Sequence, residues 1–166
     1  MTLSNTILLH DAIAGLLIFA AVRDVATRTV PNWVSVALLA VGIALQAVAG
    51  NLPAAALAGI VVFAAAALMW RQGWLGGADV KLLGAGAVTV APGSVENFLL
   101  AIALTGGGLA LLYLGLSLVV RRPKNGPRKT FLSRILKAEA WRIHNRGPIP
   151  YAAAIAAGGL FTLIQG

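Results

Sequence analysis

Six apolar segments follow one another along this chain, and they limit its possible folds more than any other feature. Segment four, Val80–Ala91, is short, and it could be a spanning, a re-entrant or a buried helix. The other five come close to the roughly 20 residues with which a helix crosses the hydrocarbon of a bilayer. They are Ile7–Val22, Val34–Val48, Pro53–Trp70, Phe98–Val120 and Ile149–Ile164. With 59% hydrophobic residues in 166, the chain has more apolar surface than a soluble domain buries. The sequence predicts an all-α integral membrane protein with one domain, residues 1–166.

The positions of the basic residues indicate how many of the six segments cross the membrane. Lys and Arg residues lie in or beside the first, third and fifth connections, whereas the second (AGNLP) and the fourth (PGSVEN) have none. Basic loops alternate in this way only if all six segments span. The positive-inside rule then places connections one, three and five in the cytoplasm and both termini outside. All four tryptophans fall at this predicted cytoplasmic face, as an interfacial belt would: Trp33, Trp70, Trp74 and Trp141.

The fifth connection, residues 121–147, is a basic cytoplasmic loop with nine of the thirteen Lys and Arg residues. Inside it, apolar residues recur on one helical face, which predicts an amphipathic helix in the headgroup region between helices five and six. These apolar residues are Phe131, Leu132, Ile135, Leu136, Ala140 and Ile143. Topology and anionic lipid account for the net charge of +8, so no nucleic-acid partner is expected. Anchoring to lipid is preferred over substrate contact as the role of this helix.

Other common sites are not indicated. The N-terminal stretch lacks a positively charged region and an obvious cleavage site, so it is interpreted as the first span and not as a cleavable signal. Without cysteine the chain has no disulfide or thiolate site, and His10 and His144 have no ligand partner at useful spacing. Neither a metal nor a cofactor is expected.

Two of the five acidic residues suggest chemistry. Asp24 ends the first span and Asp79 opens the fourth, so both lie at the same membrane face. Interfacial ion pairs, Asp24 with Arg23 or Arg28 and Asp79 with Lys81, would explain them without any function. Alternatively, two carboxylates held together share one proton, which is the arrangement that aspartic proteolysis requires. Glu96 and Glu139 lie in connections and are expected to be solvated.

The sequence around the aspartates resembles a family. DVATRTVPN (from Asp24), GGADVKLLGA (from Gly76) and PYAAAIAAGG (from Pro150) are similar, in this order, to the three signature stretches of type IV prepilin peptidases, which are GxGD-type membrane aspartyl proteases. The resemblance implies that Asp24 and Asp79 are the catalytic pair. It also implies a prepilin substrate, cut at the cytoplasmic face of the bacterial inner membrane. Because the chain starts directly at helix one, it resembles the short, peptidase-only members that serve Flp (tight-adherence) pili.

The signature departs from the family pattern at one position. Ala78 stands where the family has the second glycine of its glycine, any residue, glycine, aspartate pattern. If this position needs a positive φ angle, alanine costs about 1 kcal/mol or more; if it needs only a small side chain, alanine is tolerated. A catalytically impaired pilus-assembly scaffold therefore stays open as an alternative. A small ion transporter subunit, in which the aspartates carry ions, is another. The sequence does not determine the oligomeric state.

Overall fold

The computed structural model describes residues 3–120, 131–144 and 149–165, and these ranges contain helices and no strand. The all-α prediction is therefore confirmed for the described chain. Seven α-helices follow one another, with a short 3₁₀ turn, Pro92–Ser94, before the fifth. They are α1 (Leu3–Thr27), α2 (Asn32–Ala49), α3 (Leu52–Arg71), α4 (Gly77–Thr89), α5 (Val95–Val119), α6 (Phe131–His144) and α7 (Tyr151–Gln165).

Four helical stretches are long and apolar enough to cross a bilayer: Thr6–Thr27, Asn32–Ala49, Leu52–Arg71 and Pro92–Val119. They correspond to predicted segments one, two, three and five. The apolar part of α7, Tyr151–Ile164, is shorter, and α4 has only 13 residues. By length and composition, the described chain thus has four helices that could span the membrane. That α4 and α7 also span it stays a prediction.

Contacts between the helices show that they alternate in direction. At one end of the bundle α1 finishes and α2 and α4 begin, since Lys81 Nζ of α4 donates to Asn32 Oδ1 of α2 at 2.8 Å. We call this the aspartate end. At the opposite end Gln46 Nε2 of α2 donates to the carbonyl of Val90, directly after α4, at 2.9 Å. α4 therefore runs parallel to α2, from the aspartate end toward the far end of the bundle.

The short α4 forms the centre of the bundle. All of its residues from Leu82 to Thr89 are buried, and it packs against α2, α3 and α7. Small side chains allow this close packing: a Cβ on Gly59 would lie 2.4 Å from Val88 Cγ2, and one on Gly84 would lie 2.8 Å from Phe63 Cβ. In lipid, where neighbouring chains are as apolar as leucine, close backbone approach of this kind is a main source of helix association.

Helix α6 lies within the basic segment 121–147, of which residues 121–130 and 145–148 are outside the described chain. Helix formation over 131–144 agrees with the predicted helix, although the side chains of residues 131–137 are also outside the described part. The expectation that Glu139 is solvated is wrong. Its side chain is only 14% exposed, because α6 turns it toward Arg28 of α1 and Arg142 of its own next turn.

Candidate active site

Asp24 lies in the last turn of α1 and is buried, with 8% of its surface exposed. Its Oδ2 accepts a hydrogen bond of 2.9 Å from the backbone N–H of Ala152. Ala152 belongs to the first turn of α7, where backbone N–H groups have no partner within their own helix. The positive end of α7 thus faces Asp24, which suits an ionised carboxylate. Pro150, which is fully buried, immediately precedes this turn.

Arg28 ends α1 and explains how Asp24 is positioned. Its φ of 56° is in the left-handed region, and its N–H donates to the carbonyl of Asp24 at 2.8 Å, as at other helix C-termini. This backbone conformation costs a residue with a Cβ about 1–2 kcal/mol. The Arg28 side chain compensates through Nη2, which donates to Tyr113 Oη at 3.3 Å and forms an ion pair with Glu139.

Asp79 is the third residue of α4, and its side chain lies against Gly76, the glycine directly before the helix. The carboxylate reaches back to accept from the N–H of Gly76, which is the capping residue of α4. A Cβ on Gly76 would lie 2.8 Å from Asp79 Oδ2. A side chain at Gly76 would therefore displace the carboxylate from its position.

The two aspartates meet at the aspartate end of the bundle. Asp79 is half-buried and precedes the apolar segment Val80–Ala91. Burial, together with the charge of Asp24, raises its pKa to about 6. The two carboxylates therefore lie within electrostatic range of each other. The structure thus brings together the two carboxylates that 54 intervening residues separate in the sequence.

Ala78 fits its position without backbone strain. It lies inside α4, and among the described residues other than glycine only Arg28 has a positive φ angle. Of the two possibilities left open by the sequence, the structure supports the one in which this position needs only a small side chain.

Tyr151 is a third side chain beside the pair. Its phenol lies within electrostatic range of the Asp79 carboxylate. Its ring packs on α5, where a Cβ on Gly106 would lie 3.1 Å from Tyr151 Cε2. The stretch beginning at Pro150 and Tyr151 is therefore linked to both aspartates, to Asp24 by the hydrogen bond from the Ala152 N–H and to Asp79 by the electrostatic interaction with the phenol. Sequence similarity indicated this stretch but not the contacts.

The simple ion-pair explanation of the aspartates is not supported. Within the described chain, ion pairs are formed by Glu139 with Arg28 and with Arg142, and not by Asp24 or Asp79. Lys81 is exposed and bonds Asn32 in place of Asp79. The described residues contain no group of three or more His, Cys, Asp or Glu side chains arranged to hold a metal ion.

Comparison with known proteins places this chain in a family. The model of the type IV leader peptidase family matches residues 12–111, which is more than half of the chain and contains both aspartates. The chain belongs to the type IV leader peptidase family. The resemblance seen in the sequence is thereby confirmed. Membership, together with the four apolar helices, supports a leader-peptidase-like function in a multi-pass membrane protein.

The matched region ends inside α5, so α6 and the stretch beginning at Pro150 lie beyond it. No curated protein matches the chain, and no solved structure matches it either. The contacts of α7 with the aspartates are therefore properties of this structure, independent of the family match.

Proposed function

We propose that this leader peptidase relative is an aspartic endopeptidase with Asp24 and Asp79 as its catalytic pair. One observation supports this most strongly: carboxylates from α1 and α4 lie within electrostatic range of each other at one end of the bundle, where the first turn of α7 supplies an N–H donor to Asp24. Placing an acidic side chain near the membrane costs free energy, and placing two that repel each other costs more. We therefore expect such a pair where the shared proton takes part in a reaction.

The mechanism follows from the different surroundings of the two acids. Asp24, ionised and oriented by the Ala152 N–H, takes a proton from the attacking water. Asp79, the acid whose pKa is raised to about 6 by burial and by the charge of Asp24, carries the proton of the pair and donates a hydrogen bond to the scissile carbonyl oxygen. The water oxygen bonds to the carbonyl carbon. Collapse of the tetrahedral intermediate then breaks the C–N bond, and the amine leaves with a proton supplied by the pair.

The proposed substrate is a prepilin of the Flp type, whose basic leader is removed at the cytoplasmic face of the bacterial inner membrane. Support comes from the order of the three signature stretches and from the alternation of basic loops. In this arrangement α4 and α7 cross the membrane with the four longer helices, and α6 rests on anionic headgroups at the cytoplasmic face. No cofactor takes part.

The two other functions have less support. A transporter site would lie near the bilayer midplane between broken helices, whereas Asp24 and Asp79 lie at the end of the bundle. The scaffold alternative depended on strain at Ala78, and Ala78 has ordinary helical geometry.

The test is to co-express the chain with an Flp prepilin and to measure removal of the leader by mass. Asp24→Asn and Asp79→Asn are each expected to slow cleavage at least about a hundredfold, because each removes a proton-transfer group. Asp11→Asn is the matched control, since Asp11 is an exposed acid on the same helix as Asp24. All variants should insert equally. Wild-type processing by either catalytic-pair variant would contradict the proposal.

A further inference from the structure

An apolar groove lies on the lipid-facing side of α4, between α2 and α3. Its volume is about 510 Å³. On α2 it is lined by Val36, Leu39 and Ile43, and on α3 by Ile60 and Phe63. These spacings of three, four and seven residues place each set on a single helical face. We call this the α2–α3 groove.

The walls of the groove are open to the bilayer. Val36 and Ile60 are each 66% exposed, and Phe63 is 47% exposed. The groove follows α2 from Asn32 to Ile43, which at 1.5 Å per residue is about 16 Å. A concave, apolar channel of this length fits two to three turns of one helix, bound through its i, i+3, i+4 and i+7 positions.

The floor of the groove is α4, and small residues make it shallow and smooth. Gly84, Ala85 and Val88 line it, again at spacings of one helical face. Because no Cβ fits at Gly84 against Phe63, α4 and α3 are held close together there. α2 and α3 each pack extensively on α4 and much less on one another, so the space in front of α4 is left unfilled.

Polarity is confined to one end. Asn32 and Lys81 line the groove at the aspartate end, where Lys81 Nζ donates to Asn32 Oδ1 at 2.8 Å. The Asn32 amide and the remaining N–H donors of Lys81 are available to backbone carbonyls of an extended segment. Lys81 is two residues beyond Asp79, so about half a turn of α4 separates them and their side chains lie on opposite sides of the helix.

We propose that the α2–α3 groove binds the apolar helix of the prepilin, and that the leader junction then crosses the first turn of α4 to reach Asp24 and Asp79. This inference rests on the proposed function. A helix that enters the groove from the bilayer has its polar junction at the Asn32–Lys81 end, next to the acids. The glycines before and at the start of α4, Gly76 and Gly77, add no side chains of their own to the crossing path.

Two other occupants are distinguished by experiment. An acyl chain would fill the apolar walls without holding a protein segment. A second copy of this chain would have to present a projecting ridge, whereas the face in question is concave. Neither of these occupants explains why the polar residues of the groove lie at the same end of α4 as the candidate catalytic pair.

Cysteine cross-linking tests the occupant directly, because the chain contains no cysteine of its own. Ile60→Cys lies in the groove, and Leu57→Cys is its matched control, since Leu57 is 62% exposed on the same helix but does not line the groove. Each is combined with Asp79→Asn, which keeps the substrate uncut, and with a prepilin carrying single cysteines along its apolar segment. Cross-links to prepilin are expected at least fivefold more often from Ile60→Cys than from Leu57→Cys. Equal cross-linking, cross-links only between copies of this chain, or none at all would overturn the groove assignment.

A kinetic pair separates this inference from the proposed function. Val36→Trp narrows the groove, while Val61→Trp makes the same change at a lipid-facing position of similar exposure, 59%, outside it. With catalytic residues intact, Val36→Trp is expected to raise KM for prepilin about tenfold with little change in kcat, and Val61→Trp to match wild type. Normal KM in Val36→Trp overturns the groove assignment. Failure of wild type to cut prepilin contradicts the proposed function, and the cross-linking result then decides the groove separately.

Discussion

At the scale of single residues, Gly76 determines whether the Asp79 carboxylate keeps its position. A Cβ at Gly76 would lie 2.8 Å from Asp79 Oδ2, so Gly76→Ala forces the carboxylate away from the Gly76 N–H. Because displacement of a catalytic group by about 1 Å costs up to about a hundredfold in rate, we expect leader cleavage to slow at least about tenfold. Gly77→Ala is the matched control, since its Cβ would meet Trp70 Nε1 at an ordinary 3.6 Å. Equal rates for the two variants, measured by leader loss, would contradict this explanation of the glycine.

The proton shared by the acids predicts the pH profile. The competent pair carries one proton, and burial together with the charge of Asp24 raises the pKa of Asp79 to about 6. As pH rises through about 6 this proton is lost, and both acids become ionised. We therefore expect the cleavage rate in detergent to fall as pH increases from about 6 to 8. Intrinsic fluorescence measured alongside should stay constant if unfolding is not the cause, and a rate that keeps rising over this range would contradict the assignment of Asp79.

The candidate acids could be found from the sequence, but their supporting contacts could not. Asp24 and Asp79 stand out because few residues are charged and because the topology places both at one face. Glu139 lies in a basic segment, where solvation was the simple expectation. Its pairing with Arg28 joins residues 111 positions apart and depends on how α6 packs against α1 and α5. A single sequence carries no signal for such a distant pair.

At the scale of elements, α6 is attached to α1 and α5 through one acidic side chain. Glu139 accepts from Arg28, from Tyr113 and from Arg142, whose Nη1 is 3.0 Å away and also donates to the Val25 carbonyl at 3.2 Å. Glu139→Gln leaves two largely buried guanidinium groups without an anionic partner. Loss of such charge-assisted hydrogen bonds costs about 1.5–3 kcal/mol.

We therefore expect Glu139→Gln to lower the thermal unfolding midpoint in detergent by several degrees. Leader cleavage should also weaken, because Arg28 ends the helix that carries Asp24. Glu96→Gln is the control, as Glu96 is exposed in the first turn of α5 and its replacement should leave the midpoint unchanged. If both variants unfold like wild type, α6 is held by its apolar contacts and not by Glu139.

The status of α4 was the main uncertainty at this scale. Apolar residues on all sides of a 12-residue segment fit a buried helix as well as a span. The structure shows that α4 is enclosed by its neighbours and that it runs the same way as α2, while its crossing of the membrane stays a prediction. Sequence periodicity indicates which sides of a helix are apolar. The direction in which the helix runs in the bundle is known only from its contacts with other helices.

At the scale of the whole molecule, the alternation of helix directions makes the topology testable. Asp24, Asn32 and Lys81 lie at the aspartate end, whereas Gln46 and Val90 lie at the other end. If the aspartate end faces the cytoplasm, the α2–α3 and α4–α5 connections face outward. This topology requires α4, with only 13 helical residues, to cross among longer helices that shield it from lipid.

Single cysteines in this cysteine-free chain can report the topology. In spheroplasts, Gly93→Cys and Asn51→Cys should react with a membrane-impermeant maleimide, because both positions are exposed at the far end. Gln72→Cys, exposed after α3, should react only once the membrane is permeabilised. Gly93 has open space around it, so its replacement should not disturb packing.

Protection of Gly93→Cys in spheroplasts while Asn51→Cys is labelled would mean that α4 does not cross. The chain after α4 would then start again from the cytoplasmic face, and α5 and α7 would have to reverse their orientation. Because Ala152 of α7 contacts Asp24, that result would also contradict the contacts on which the catalytic pair depends.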